Sequence, residues 1–204
     1  MNTRVFDGSI AGLGTTSGLR LVVGSWTTSS FGPFADVMIE TAAGHRILLA
    51  PTERLAAFVA GTYVFDEMRI EPVEVTAGPV WQVRTPSLDV TFAVGRPHPV
   101  SRALRLVPGV VRDRETWARL CNPFARVLMP GVRTHGSAGT DRVEWYAARR
   151  VQHIDSLAGT FEDQPLGDLA PLRPAVRFGF SSAPATPSLT RVRSFVREAG
   201  QQTS

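Results

Sequence analysis

Apolar and polar positions alternate through most of the chain. LRLVVGS (19–25), FADVMIE (34–40) and RILLA (46–50) read as extended segments, and the TAAGH turn joins the last two into a β-hairpin over 34–50. There the period changes. TERLAAFVAGT sets Leu55, Phe58 and Val59 on one stripe behind Thr52, which predicts a short helix capped by that threonine. Alternation returns in YVFDEMRIEPVEV, and turns at TAGP (76–79) and TPSLD lead into VWQVRT and VTFAVG. Leu88, Val90, Phe92 and Val94 share one face against Asp89, Thr91 and Ala93, the pattern of a half-buried strand.

The second half is less regular. GRPHPVSRALRLVP (95–108) places two prolines around His98 and reads as a stiff loop. Asp113 can cap a helix whose apolar stripe holds Trp117, Leu120, Cys121, Phe124 and Leu128, and Pro123 either kinks it or divides it into two short helices, the second capped by Asn122. GTFEDQPLGDLAPLRP (159–174) reads as a surface loop and PAVRFGFSS (174–182) as a strand. SLTRVRSFVREAG reads as a closing helix, capped by Ser188, ended at Gly200, with Leu189, Val192 and Val196 on one stripe. The predicted fold class is α+β: a strongly bent antiparallel sheet or β-barrel-like core of about eight strands with two to three short helices. Residues 1–18 are expected to be loose, and 19–200 to form a single globular domain.

Composition removes several functions. All 22 basic side chains are arginine, and the chain is lysine-free, which excludes Schiff-base catalysis, pyridoxal phosphate attachment and a Walker-type phosphate loop. A single Cys121 excludes an internal disulfide and a cysteine-built zinc site, and the four histidines show no metal-ligand spacing, so neither a metal nor a cofactor is expected. The net charge of +4 comes from arginines interleaved with 18 acidic residues, so nucleic acid is not an expected partner. No apolar run approaches the ~18 residues of a membrane span. The N-terminus lacks the basic-then-apolar layout of a secretory signal, and the expectation is a cytoplasmic protein without a membrane partner. The Arg/Ala/Val-rich composition points to a GC-rich bacterial source.

The densest chemistry lies in GVRTHGSAGTDRVEWYAARRVQHID (131–155). With a turn in SAGTDR, residues pair where their numbers sum to 279, so His135 faces Glu144 and Arg133 faces Tyr146. One face then carries His135, Glu144, Arg133, Tyr146 and Arg150, and the other is mostly apolar. A carboxylate beside an imidazole raises its proton affinity toward neutral pH, making His135 and Glu144 the candidate acid–base pair. Arg133, Tyr146, Arg150 and the loop residue His98 are the candidate ligand contacts. A polar sheet face turned to solvent has the same sequence pattern, so these roles require that the face line a cavity.

RILLAPTERLAAFVAGTYVFDEMRI (46–70) resembles the strand–helix–strand unit of acetoacetate-decarboxylase-like proteins. That family's Schiff-base chemistry needs a lysine, so the resemblance implies at most a related ligand-holding barrel. The sequence therefore predicts a protein that encloses a small organic ligand, anionic or partly apolar, with non-covalent acid–base chemistry open to it. The alternative is an accessory protein that forms a homo-oligomer through its Arg-rich C-terminal segment.

Overall fold

The computed structural model describes residues 3–118, 135–136, 142–179 and 183–198. Ten strands follow one another in a single curled sheet, in the order β5-β4-β3-β2-β1-β13-β10-β8-β7-β6, and form a half-barrel. The first eight strands are β1 (Thr3–Thr15), β2 (Arg20–Thr28), β3 (Phe34–Glu40), β4 (Arg46–Ala50), β5 (Glu67–Ile70), β6 (Glu74–Thr76), β7 (Val80–Arg84) and β8 (Leu88–Pro97). Short β9 (His135–Gly136), β11 (Gln164–Pro165) and β12 (Leu169–Ala170) pair off this path, and β10 (Arg142–Phe161) and β13 (Ser188–Glu198) run through its middle. Pairing is antiparallel except between β4 and β5, which the helix α1 (Glu53–Ala60) joins as a crossover. α2 (Val100–Leu106) and α3 (Gly109–Arg112) follow β8. The bent α+β sheet read from the sequence is the fold. Among the described residues, no helix is long and apolar enough to cross a membrane.

The apolar runs reflect burial on both faces. Ala11, Leu13, Leu21, Val23, Val37 and Ile39 pack on one side, in a cluster that also joins Ile47 of β4 to Val83 of β7 and so draws the two ends of the sheet around it. The intervening residues of β1–β4, among them Ile10, Val22, Met38 and Leu48, pack on the opposite side beneath α1 and against Leu172, Val176, Phe178 and Ala183. Thr52 caps α1 by accepting a hydrogen bond from the Leu55 amide, and Leu55 and Val59 are buried, as the spacing predicts. The hairpin over 34–50 and the face of Leu88, Val90 and Phe92 also form as read.

Other expectations are corrected. Thr3–Thr15 belongs to a central strand hydrogen-bonded to both β2 and β13, although residues 1–18 read as loose. Its Gly, Ser and Thr content reflects tight packing: a Cβ on Gly8 would meet the Ser25 carbonyl oxygen, and one on Gly14 the Pro171 oxygen. SLTRVRSFVREAG is a strand over Ser188–Glu198, because Val192, Ser194 and Val196 fit a period of two as well as they fit a helical stripe. PAVRFGFSS forms no strand over its described residues 174–179, and Val176 and Phe178 bury themselves from irregular chain. His98 follows β8 directly and precedes α2 in what was expected to be a loop throughout. Asp113 caps the C-terminus of α3, and the helix expected to start there begins two residues later, at Glu115, over the described residues 115–118. Cys121 and the Pro123 kink lie outside the described residues.

Candidate functional site

On the face away from the large apolar cluster, strands β3, β2, β1, β13 and β10 form one wall of a cavity of about 60 Å³. α1, Tyr63, Val176, Phe178 and Ala183 cover it. That is room for a few water molecules or a compact organic group, at ~10–15 Å³ for each water. Register explains who lines it: Phe6 opposes Ser194, Val196 opposes Glu144, and Gly24 opposes Asp36, so alternate residues of five neighbouring strands share this face. Phe6, Trp26, Phe34 and Phe58 make an aromatic wall, with Phe6 at 5.7 Å from Trp26 and 5.5 Å from Phe58 between ring centres. Arg4 and Arg54 lie over the Phe31 ring that extends this cluster, at 5.4 and 5.1 Å, and neither lines the cavity.

The polar groups gather at two carboxyls. Glu144, 5% exposed, accepts hydrogen bonds from the Tyr63 hydroxyl on Oε2 (2.6 Å) and from Ser194 Oγ on Oε1 (2.8 Å). The Tyr63 and Tyr146 hydroxyls are 2.6 Å apart, so both phenols belong to this network. Asp36, also 5% exposed, accepts one hydrogen bond, from Trp26 Nε1 to Oδ1 at 3.1 Å. Gly24 makes room for that contact, because a Cβ there would lie 2.5 Å from Asp36 Oδ1 and 2.8 Å from Trp26 Nε1. This glycine is a matter of space, not of backbone angle.

Among the described lining residues there is no arginine or histidine, and the chain has no lysine. Burial without a cationic partner disfavours charge on both acids. Asp36 is pushed up to about 7, chiefly by burial and also by the nearby Glu144, against the opposing hydrogen bond from Trp26. Glu144 is also raised by burial, while its hydroxyl partners pull the other way. Tyr63 is held well above the usual phenol range, first by burial and then by Glu144. Two acids whose proton affinity burial raises, set in a cavity, are the arrangement from which acid–base sites are built.

The residues singled out in the sequence fare differently. Glu144 and Tyr146 line the cavity. The register of β9 and β10 sums to 280, one residue from the expected pairing: Trp145 faces His135 and Glu144 faces Gly136, so His135 is not the cross-strand partner of Glu144. Arg133 lies outside the described residues. Arg150 is exposed on β10 and pairs with Arg191 just past a bulge, away from the cavity. His98 packs against His153 with ring centres 5.2 Å apart, accepts the Val100 amide on Nδ1 and is lowered by burial, outside the cavity.

Sequence reasoning missed Asp36, Tyr63, Trp26 and Ser194. The signal for Asp36 was present: FADVMIE carries a carboxylate inside an otherwise apolar strand, and Asp36 and Glu40 are both buried. Glu40 is neutralised elsewhere, by Arg20 at 3.3 Å and Arg177 at 2.8 Å, which tie the segment after Pro174 to the sheet. Asp36 has no such counterion within the cavity lining. Among the described residues no group of His, Cys, Asp and Glu is placed to hold a metal ion.

No protein-family model matches the chain, and no curated protein does. Among solved structures, one from Nitrosomonas europaea, provisionally designated AttH, is similar at 12% identity and a TM-score of 0.27. The comparison covers all of this chain and 53% of the other, so this chain spans about half the length of that structure. Overlap at this level carries no functional argument.

Proposed function

We propose that the cavity binds a small, largely apolar molecule beside Asp36 and Glu144, the two groups that hold and release protons there. The observation that carries this reading is the pair of buried carboxyls, without an arginine or histidine among the described lining residues, inside an aromatic-walled cavity. Burying an acid without a counterion destabilises a fold, and such expense is concentrated at functional sites. Glu144 is fixed by three hydroxyl groups and serves as the positioned acid or base; Asp36, with a single hydrogen bond, is the group free to meet a ligand. Tyr146 is the ligand contact retained from the sequence, and Glu144 the retained acid–base residue. The lining favours the partly apolar ligand over the anionic one, since an anion would face two acids.

2-Methylpropan-1-ol, an uncharged alcohol small enough for a cavity of about 60 Å³, tests this reading by titration calorimetry. It should bind the wild-type chain, and Val196→Trp, which fills the cavity from β13, should abolish binding while far-UV circular dichroism stays unchanged. Failure to bind, or equal binding by a folded Val196→Trp, refutes the reading. The accessory-protein alternative loses its motivating feature, because Ser188–Glu198 is a strand paired on both sides within the sheet.

A further inference from the structure

We propose that the ligand of this cavity carries a protonated amine: the site takes an aromatic or aliphatic ammonium molecule of compact size. This rests on the reading above that the cavity is a binding site, and specifies its substrate class. Three observations converge. Among the described lining residues the ionisable groups are two carboxyls and two phenols, which carry negative charge when they ionise, so the interior is better matched to a cation than to an anion. Asp36 accepts the Trp26 hydrogen bond on Oδ1, which leaves Oδ2 able to accept from an ammonium group. Around it stand the faces of Trp26, Phe6, Phe34 and Phe58, and aromatic faces attract cations electrostatically. The same cluster already does so on its outer side, where the guanidinium groups of Arg4 and Arg54 lie over Phe31 and that of Arg4 over Phe58 at 5.5 Å.

The chemistry is a proton exchange with a defined balance. Below neutrality the carboxyl of Asp36 is uncharged; when R–NH3+ binds, the carboxyl releases its proton to solvent and the carboxylate so formed pairs with the ammonium group. The titratable groups that face Asp36 across the cavity are Glu144 on β10, Tyr63 after α1, and Tyr146 on β10. Glu144 stays engaged with its hydroxyl partners and contributes field, not a direct contact. Binding an amine therefore releases up to one proton below about pH 7 and tightens as pH rises through that value, whereas an isosteric alcohol releases none.

The test pairs 2-methylpropan-1-amine with 2-methylpropan-1-ol, which share shape, suit a cavity of about 60 Å³ and differ in charge, against the full chain by calorimetry in buffers of different ionisation enthalpy. At pH 8 the amine should bind at least about tenfold more tightly than the alcohol. Asp36→Asn should bring the two affinities together while still binding the alcohol. Glu144→Gln provides a second variant, expected to reduce the preference for the amine without removing it. Equal affinities in the wild-type chain, or an amine preference that survives Asp36→Asn intact, overturn the assignment of an ammonium ligand while leaving the cavity reading standing. If neither probe binds, or if Val196→Trp leaves both bound, the cavity reading falls as well.

Discussion

Replacing Asp36 with asparagine should make the protein more stable, and increasingly so as pH rises. The exchange keeps shape and keeps an acceptor for the Trp26 Nε1–H hydrogen bond, so the principal loss is the charge. In the unfolded chain the Asp36 carboxyl ionises at its ordinary 3.8, and in the fold only at about 7. The folded state thus holds a proton that the unfolded state has lost between these values. With more protons bound to the native state, unfolding free energy falls as pH rises through this window and levels off above about 7. The full gap, about three pH units at 1.36 kcal/mol each, corresponds to about 4 kcal/mol. Because about a third of it has accrued by pH 5, the difference between variant and wild type should widen by about 3 kcal/mol between pH 5 and 8.5. Urea unfolding followed by tryptophan emission, at half-unit pH intervals on both proteins, measures it directly. Differencing removes the contributions common to both, such as Asp66, which Arg46 holds low and which acts with the opposite sign. Parallel stability profiles for the two proteins would refute the argument, since they would mean that Asp36 ionises freely in the fold.

Further perturbations separate the cavity from its supports. Tyr63→Phe removes a donor from Glu144 and should cost about 1–3 kcal/mol of unfolding free energy by urea titration, with the Glu144 midpoint rising. Gly24→Ala places a methyl group against Asp36 and Trp26, and should weaken binding of 2-methylpropan-1-amine, measured by calorimetry. Arg20→Met leaves Glu40, 0% exposed, with Arg177 as its one remaining ion pair among the described residues, and should cost about 3–5 kcal/mol, measured by denaturant unfolding. Phe178→Ala empties the cover of the cavity and should cost about 3–5 kcal/mol in the same assay.

Much of the fold was legible because period and turn chemistry are local. β2–β4, α1 and β7–β8 follow from alternation, a Thr52 cap and Gly/Pro turns within a few residues of each element. β13 was misread because Leu189, Val192 and Val196 satisfy a helical spacing, and what decides for strand is pairing with β1 and β10, more than a hundred residues apart in sequence from each other. β1 was hidden by its glycines, whose function is close approach to Ser25 and Pro171. At the site, Glu144 and Tyr146 were found because a hairpin face is a local pattern. The partner assigned to Glu144 was wrong by one residue of register, which in a strand moves a residue to the other face. Tyr63 and Ser194, its observed partners, stand 81 and 50 residues away and come together only when the sheet curls.

The most direct test is carbon-13 NMR of the Asp36 and Glu144 side-chain carboxyls, titrated with and without 2-methylpropan-1-amine. The structure predicts an Asp36 midpoint of about 7 that falls when the amine is added, with Glu144 also above its ordinary range. An Asp36 midpoint near 4, unmoved by the amine, would contradict a buried, proton-holding cavity that receives a ligand.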